Sequence, residues 1–188
     1  MIGISIASGM KAPAAALSGP QVGGPHSPSQ VVEDELDGSI HWTNPENAEA
    51  SDDTYTVSGT VTSIDPQTLF LAATGFGFTI PDQADINGVL VEVECKCGSV
   101  GRLSEAALVI AGEIVIGTAP SDTNVLPQTI TSTESYRLLG SAVDRWGSTL
   151  RPVDVSDPGF GVAIAFRRTA LNTAFSVDHI RITIYYTV

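Results

Sequence analysis

Four groups of residues in this chain have types and spacings that could do chemistry. Asp52 and Asp53 are adjacent carboxylates, the residue type that glycoside cleavage uses in pairs. Cys95 and Cys97 form a Cys-X-Cys pair that could open a zinc site. Gly75 and Gly77 flank Phe76 in a glycine spacing found in phosphate cradles. The run Glu33-Asp34-Glu35-Leu36-Asp37 offers oxygen ligands of the kind calcium takes.

Each group lacks the partners its chemistry requires. Neighbouring residues on a strand point to opposite faces, so Asp52 and Asp53 meet one substrate only in a loop, and no histidine or third acid stands at a useful spacing. Their expected role is a turn or cap. Zinc needs four ligands, but there is no further cysteine, and His26, His41 and His179 are scattered. A disulfide between residues two apart on one strand is strained, which leaves two buried thiols in a reducing cytoplasm as the expected state. No helix start follows the glycines, and the acidic run reads as a solvated hinge. There is no Gly-X-Ser-X-Gly elbow. The expectation is a chain that is not an enzyme, without catalytic, metal or cofactor residues.

The elements that would position these groups are strands. Thr74–Pro81 and Ile86–Glu94 alternate apolar with other residues at period 2 and are expected to be a strand pair, with Val89, Val91, Val93, Cys95 and Cys97 on one face and Leu90, Glu92, Glu94 and Lys96 on the other. Strand patterns also cover 55–62, 68–73, 128–132 and 159–166, and a bend at Ala111-Gly112 divides 103–117 into two short strands. The last strand alternates Ile180, Ile182, Ile184, Tyr186 and Val188 inward against His179, Arg181, Thr183, Tyr185 and Thr187 outward. Only the neighbourhood of Trp146 and Pro152 allows a helical turn. Eight to ten strands at this spacing predict an all-β protein, a jelly-roll-like antiparallel β-sandwich over residues 38–188. Trp42, Phe76, Phe78 and Trp146 are its expected core anchors.

Residues 1–37 are expected to be an extended Gly/Pro/Ala-rich arm ending in the acidic hinge. Ile2, Ile4 and Ile6 alternate with Gly3 and Ser5 at its tip, the pattern of a short strand able to add to a neighbour's sheet; a disordered terminus fits the same composition. Charge is uneven. Residues 1–95 hold thirteen acids against Lys11, whereas 96–188 hold eight acids and eight bases, so the whole net charge of −12 belongs to the first half. Nucleic acid and anionic membrane are therefore disfavoured partners, since phosphate affinity needs clustered bases. No apolar run approaches the roughly 18–20 residues of a membrane span, and Met1–Ile6 lack the basic flank of an export signal.

Taken in order, Trp42-Thr43-Asn44-Pro45 with Asn47-Ala48, Asp52-Asp53 and Tyr55; Thr74–Phe78 with Ile80-Pro81; Gly88–Glu94; Trp146-Gly147; Val153–Val155; Phe160–Val162; and Val177-Asp178 with Ile180 and Tyr185–Thr187 resemble a group of tailed-bacteriophage virion structural proteins. The resemblance covers about residues 38–188 and leaves the arm and the cysteine pair outside it. It implies a non-enzymatic particle component, located in the virion after assembly in the host cytoplasm. Within that group the expectation is a capsid decoration (cement) protein, a homo-oligomer with a trimer favoured, contacting the major capsid protein or other virion proteins through the arm. The alternative is a tail-fibre, spike or head-fibre domain that binds host surface glycan, with Trp42, Tyr55, Trp146 and Tyr185 as stacking platforms.

Overall fold

The computed structural model describes residues 19–60, 66–169 and 173–188. In chain order the strands are β1 (Pro20–His26), β2 (Gln30–Asp34), β3 (Trp42–Thr43), β4 (Thr56–Ser58), β5 (Phe70–Thr74), β6 (Asp85–Cys97), β7 (Gly101–Ile110), β8 (Glu113–Ile114), β9 (Gln128–Ile130), β10 (Ser135–Gly140), β11 (Gly161–Arg168) and β12 (Phe175–Thr187). The one α-helix among the described residues is the short α1 (Pro152–Ser156), and Pro45–Ala48 form a single 3-10 turn. The strands form two antiparallel sheets, a β-sandwich of jelly-roll kind. The first runs β10-β6-β12-β4-β3, with β1 also on β12; the second runs β2-β5-β11-β7-β8, with β9 also on β7.

The long strands β6 and β12 form the middle of the first sheet, paired from Phe175↔Cys97 to Thr187↔Asp85 with β-bulges after Val177 and after Tyr185. Val89, Val91, Val93, Cys95 and Cys97 of β6 and Ile180, Ile182 and Ile184 of β12 are buried on one face. They meet Leu71, Ala73, Leu108, Val162, Ile164 and Phe166 of the second sheet in the principal core. At about 1.5–3 kcal/mol for each large apolar side chain fully buried, this interleaving dominates the stability. β11 is covered on both faces, because Ala163 and Ala165 pack with Phe70, Ala72 and Val109 on the far side of its sheet.

Two expectations about the elements are corrected. Residues 74–81 are not a strand: β5 ends at Thr74, and Gly75 (φ 75°) and Gly77 (φ 67°) take left-handed conformations that no regular ladder accepts. The alternation survives without the ladder, because Phe76, Phe78 and Ile80 are all buried. The arm boundary also moves. Residues 20–34, assigned above to the arm, are sandwich strands, with β1 on β12 and β2 on β5. Pro20 and Pro25 are compatible with β1 because it pairs with β12 alone, and an edge strand needs only one set of ladder bonds.

The acidic hinge is likewise tied in. Glu33 accepts hydrogen bonds from His41 Nδ1 (2.8 Å) and the Trp42 amide (2.6 Å), fastening β3 to the end of β2. The bend at Ala111-Gly112 joins β7 to β8, with both residues at positive φ (52° and 83°) as a tight hairpin turn requires. In α1, Arg151 grips Asp154 through Nε (3.0 Å) and Nη2 (2.6 Å).

Candidate functional site

The densest set of reactive side chains lies on the outer face of the first sheet. His179 on β12 stands opposite Glu94 of β6, next to a β-bulge. Its Nε2 is 2.8 Å from Ser27 Oγ, and its Nδ1 is 3.0 Å from the Tyr136 hydroxyl. Arg181, two residues on, donates from Nε and Nη2 to the two oxygens of Glu92, both at 2.9 Å, and lies 4.2 Å from the Tyr136 ring centroid. Ser51 Oγ donates to Glu94 at 2.7 Å. Alongside, the Tyr55 hydroxyl donates to Glu134 (2.9 Å) and Lys96 Nζ sits 3.7 Å from the Tyr55 ring centroid.

The alternation in β12 correctly turns His179 to the outer face, yet the residue is only 6% exposed. The corner between β1 and β2, which carries Ser27, covers it, and so does the 44–55 connection, which bridges to it at Glu49. Burial, and then the Arg181 charge, hold its pKa below the ordinary histidine value. Asp178 beside it is buried too, and burial raises its pKa despite the amides of Asp53 and Asp52 directed at it. Asp52 Oδ1 accepts from the Thr54 amide (2.9 Å) and Asp53 takes φ 64°, so this carboxylate pair shapes a turn.

A serine hydroxyl against an uncharged imidazole is the outline of a nucleophile and its base. Sequence reasoning missed it because Ser27 and His179 are 152 residues apart and no local motif marks them. The third member is a phenol in place of an orienting carboxylate, and Ser27 lies in the corner where the chain crosses from the first sheet to the second. The geometry therefore pins a corner and a long connection onto the sheet.

That arrangement makes stability depend on pH with a definite sign. A histidine whose folded pKa is depressed contributes its full stabilisation above the unfolded value near 6.5, and loses it as pH falls through 6.5 towards the folded pKa. His179→Gln is expected to cost about 1–3 kcal/mol at pH 7 through two hydrogen bonds and to flatten the decline between pH 7 and 5. Urea unfolding of both proteins across that range measures it; parallel curves would remove His179 from the account.

The second place is a groove of about 390 Å³ at the Pro20 end of β1. Pro20, Val22, Ala142, Val143, Tyr185 and Tyr186 give it an apolar lining, which Gln21, Asn87 and Arg145 complete. Val22 (57%) and Val143 (72%) are well exposed. Loop 141–147 forms one wall and lies directly on the sheet, because its backbone at Ser141 and Ala142 occupies the space where a Cβ on Gly88 would stand. Trp146 holds the loop from below: it is wholly buried, and its indole Nε1 donates to Val89 O at 3.0 Å.

Trp42, Phe76 and Phe78 are buried in the same core as Trp146. Trp42 Nε1 donates to Leu69 O (2.9 Å), and its ring meets Phe166 edge-on. Phe76 and Phe78 stack, with His26 parallel to Phe78 at 4.8 Å between centroids. With both tryptophans inside, Tyr55 and Tyr185 are what remains of the four stacking platforms. Ile2, Ile4 and Ile6 lie outside the described residues.

Cys95 and Cys97 are both buried free thiols. Burial pushes the Cys95 thiol up to about 12, and Cys97 Sγ donates to Ile130 O at 3.3 Å. Neither thiol is expected to react with a water-soluble disulfide reagent at pH 8 while the chain is folded, and both react once it is unfolded. Rapid labelling of the native protein would contradict the packing. Among the described residues no group of three or more acids, histidines or cysteines could hold a metal ion, and no helix is long and apolar enough to cross a membrane.

No protein-family model and no curated protein sequence matches the chain. Among solved structures it is similar to CBM29_1, a family 29 carbohydrate-binding module from Piromyces equi, at 11% identity and a TM-score of 0.39, with 90% of this chain and 91% of that one covered.

Proposed function

We propose that this chain is a non-enzymatic structural protein of a tailed-phage virion, a decoration protein that binds the capsid surface as a symmetric oligomer and stabilises it. The observation that carries the reading is the division of labour on the surface. The polar side chains capable of chemistry are engaged on the first sheet, while Val22 and Val143, among the exposed aliphatic residues, line one groove where the N-terminal segment enters the sandwich. The ordered resemblance of residues 38–188 to phage virion proteins supports it, as does the acidic first half, which disfavours contact with nucleic acid.

A decoration protein adds to preformed shells and raises their resistance to heat. Purified chain mixed with phage capsids lacking it is expected to co-sediment at a fixed ratio to the major capsid protein and to raise the temperature at which the shells open. Co-sedimentation with tails alone, or glycan-array binding without capsid binding, would favour the fibre alternative and overturn this reading.

A further inference from the structure

We propose that the groove at the Pro20 end of β1 is the acceptor for residues 2–6 of a second copy of this chain, so that copies join arm to groove. This deepens the reading above and rests on it only in taking the chain to be an oligomer.

Three observations favour this occupant. The groove is apolar and flanked by Val22 and Val143, both more than half exposed, a surface whose cover lowers free energy. The first residues supply a cover of matching chemistry: Ile2, Ile4 and Ile6 alternate with Gly3 and Ser5, which in extended form sets three aliphatic side chains along one face, roughly 6.6–6.8 Å apart. Charge agrees as well. Residues 2–6 carry no charged side chain, and the groove is lined by no acid and a single base, Arg145, so neither surface brings a net charge that the docked segment would have to desolvate beyond that one.

Tether length separates a neighbour's groove from the chain's own. Residues 7–18, twelve in number, lie between Ile6 and Gly19, and Pro20 already lines the groove. Return to its own root would make those residues a structureless loop at the upper end of the lengths, about 12–15 residues, that compact domains use. Extended outward, the same residues reach about 40 Å, enough to meet an adjacent copy. Arm and groove are different surfaces, so the contact is head to tail, and such contacts close into rings when the rotation permits.

The test uses the full chain in three forms: wild type, the arm variant Ile2→Ser/Ile4→Ser/Ile6→Ser, and the groove variant Val143→Glu, all checked for an unchanged thermal melt. Light scattering and sedimentation should give a multimer for wild type and at least about tenfold weaker self-association for each variant. An equimolar mixture of the two variants should recover a dimer, because it again pairs one intact arm with one intact groove. Wild-type mass in either variant, or a wild type that stays monomeric at every concentration with its arm in its own groove, overturns the inference. The function reading fails separately: a chain that associates arm to groove yet ignores capsids overturns only that reading, and a chain that decorates capsids as an oligomer unaffected by either variant overturns only this inference.

Discussion

Trp146→Ala is expected to destabilise the fold by about 3–5 kcal/mol, a large part of the total for a domain of this size. The indole is wholly buried, and its volume joins loop 141–147 to the core beneath β6. Two losses add: the apolar area with the cavity left behind, and the hydrogen bond from Nε1 to Val89 O. Gly140 records the fit from the other side. It takes φ 75°, and a Cβ there would run into the indole nitrogen and Val89 O. Trp146→Phe, which keeps an aromatic ring and gives up the N–H, should lose a smaller part. Chemical unfolding of the three proteins measures the series; equal stability of Ala and wild type would mean the loop is not anchored through the core.

Asp144→Ala should cost a similar amount, about 3–5 kcal/mol, through polar rather than apolar interactions. Asp144 is buried and accepts from the amides of Ser121 (2.7 Å), Asp122 (3.0 Å) and Trp146 (2.8 Å) and from Ser121 Oγ (3.1 Å). Its own carbonyl receives the Val89 amide at 2.8 Å. The carboxylate thus ties the loop at 121–122 to loop 141–147, while the backbone carbonyl of the same residue holds strand β6. Burial raises its pKa, but the amides of Asp122, Ser121 and Trp146 and the Ser121 hydroxyl outweigh that, and the carboxyl lies below the ordinary aspartate value. Its contribution is therefore present above the unfolded pKa near 3.9 and is lost as pH falls through the folded value. Acid unfolding should begin at higher pH in Asp144→Asn than in the wild type. Coincident acid transitions would show that the carboxylate charge is not what holds the loops. Trp146 and Asp144 anchor the same loop, so the double variant should lose less than the sum of the singles.

How much of this was legible in the sequence differs from one element to another. The alternation in β6 and β12 reads directly, because one face of each strand meets the core and the period of 2 has no competitor. Residues 74–81 show the same alternation and misled, since Phe76, Phe78 and Ile80 are buried by packing while Gly75 and Gly77 break the ladder that would have made a strand. Proline-rich residues 20–34 concealed two strands, because proline argues against central strands and says little about an edge. Burial of His179 was not legible at all: its cover comes from Ser27 and Glu49, more than a hundred residues away in the chain. The groove was invisible for a related reason. Val22, Val143 and Tyr185 belong to three separate segments, and none is unusual where it stands.

An acidic chain with an apolar groove at the root of its N-terminal segment supports the proposal of a capsid-binding protein. The most direct measurement is a cryo-electron microscopy map of the phage particle in which this chain is proposed to reside. The account predicts sandwich density in many symmetry-related copies on the outer capsid surface, with residues 1–18 of each copy traceable onto a neighbouring chain. A map that places the chain only in tail or fibre density, or finds none of it in the particle, would contradict the account.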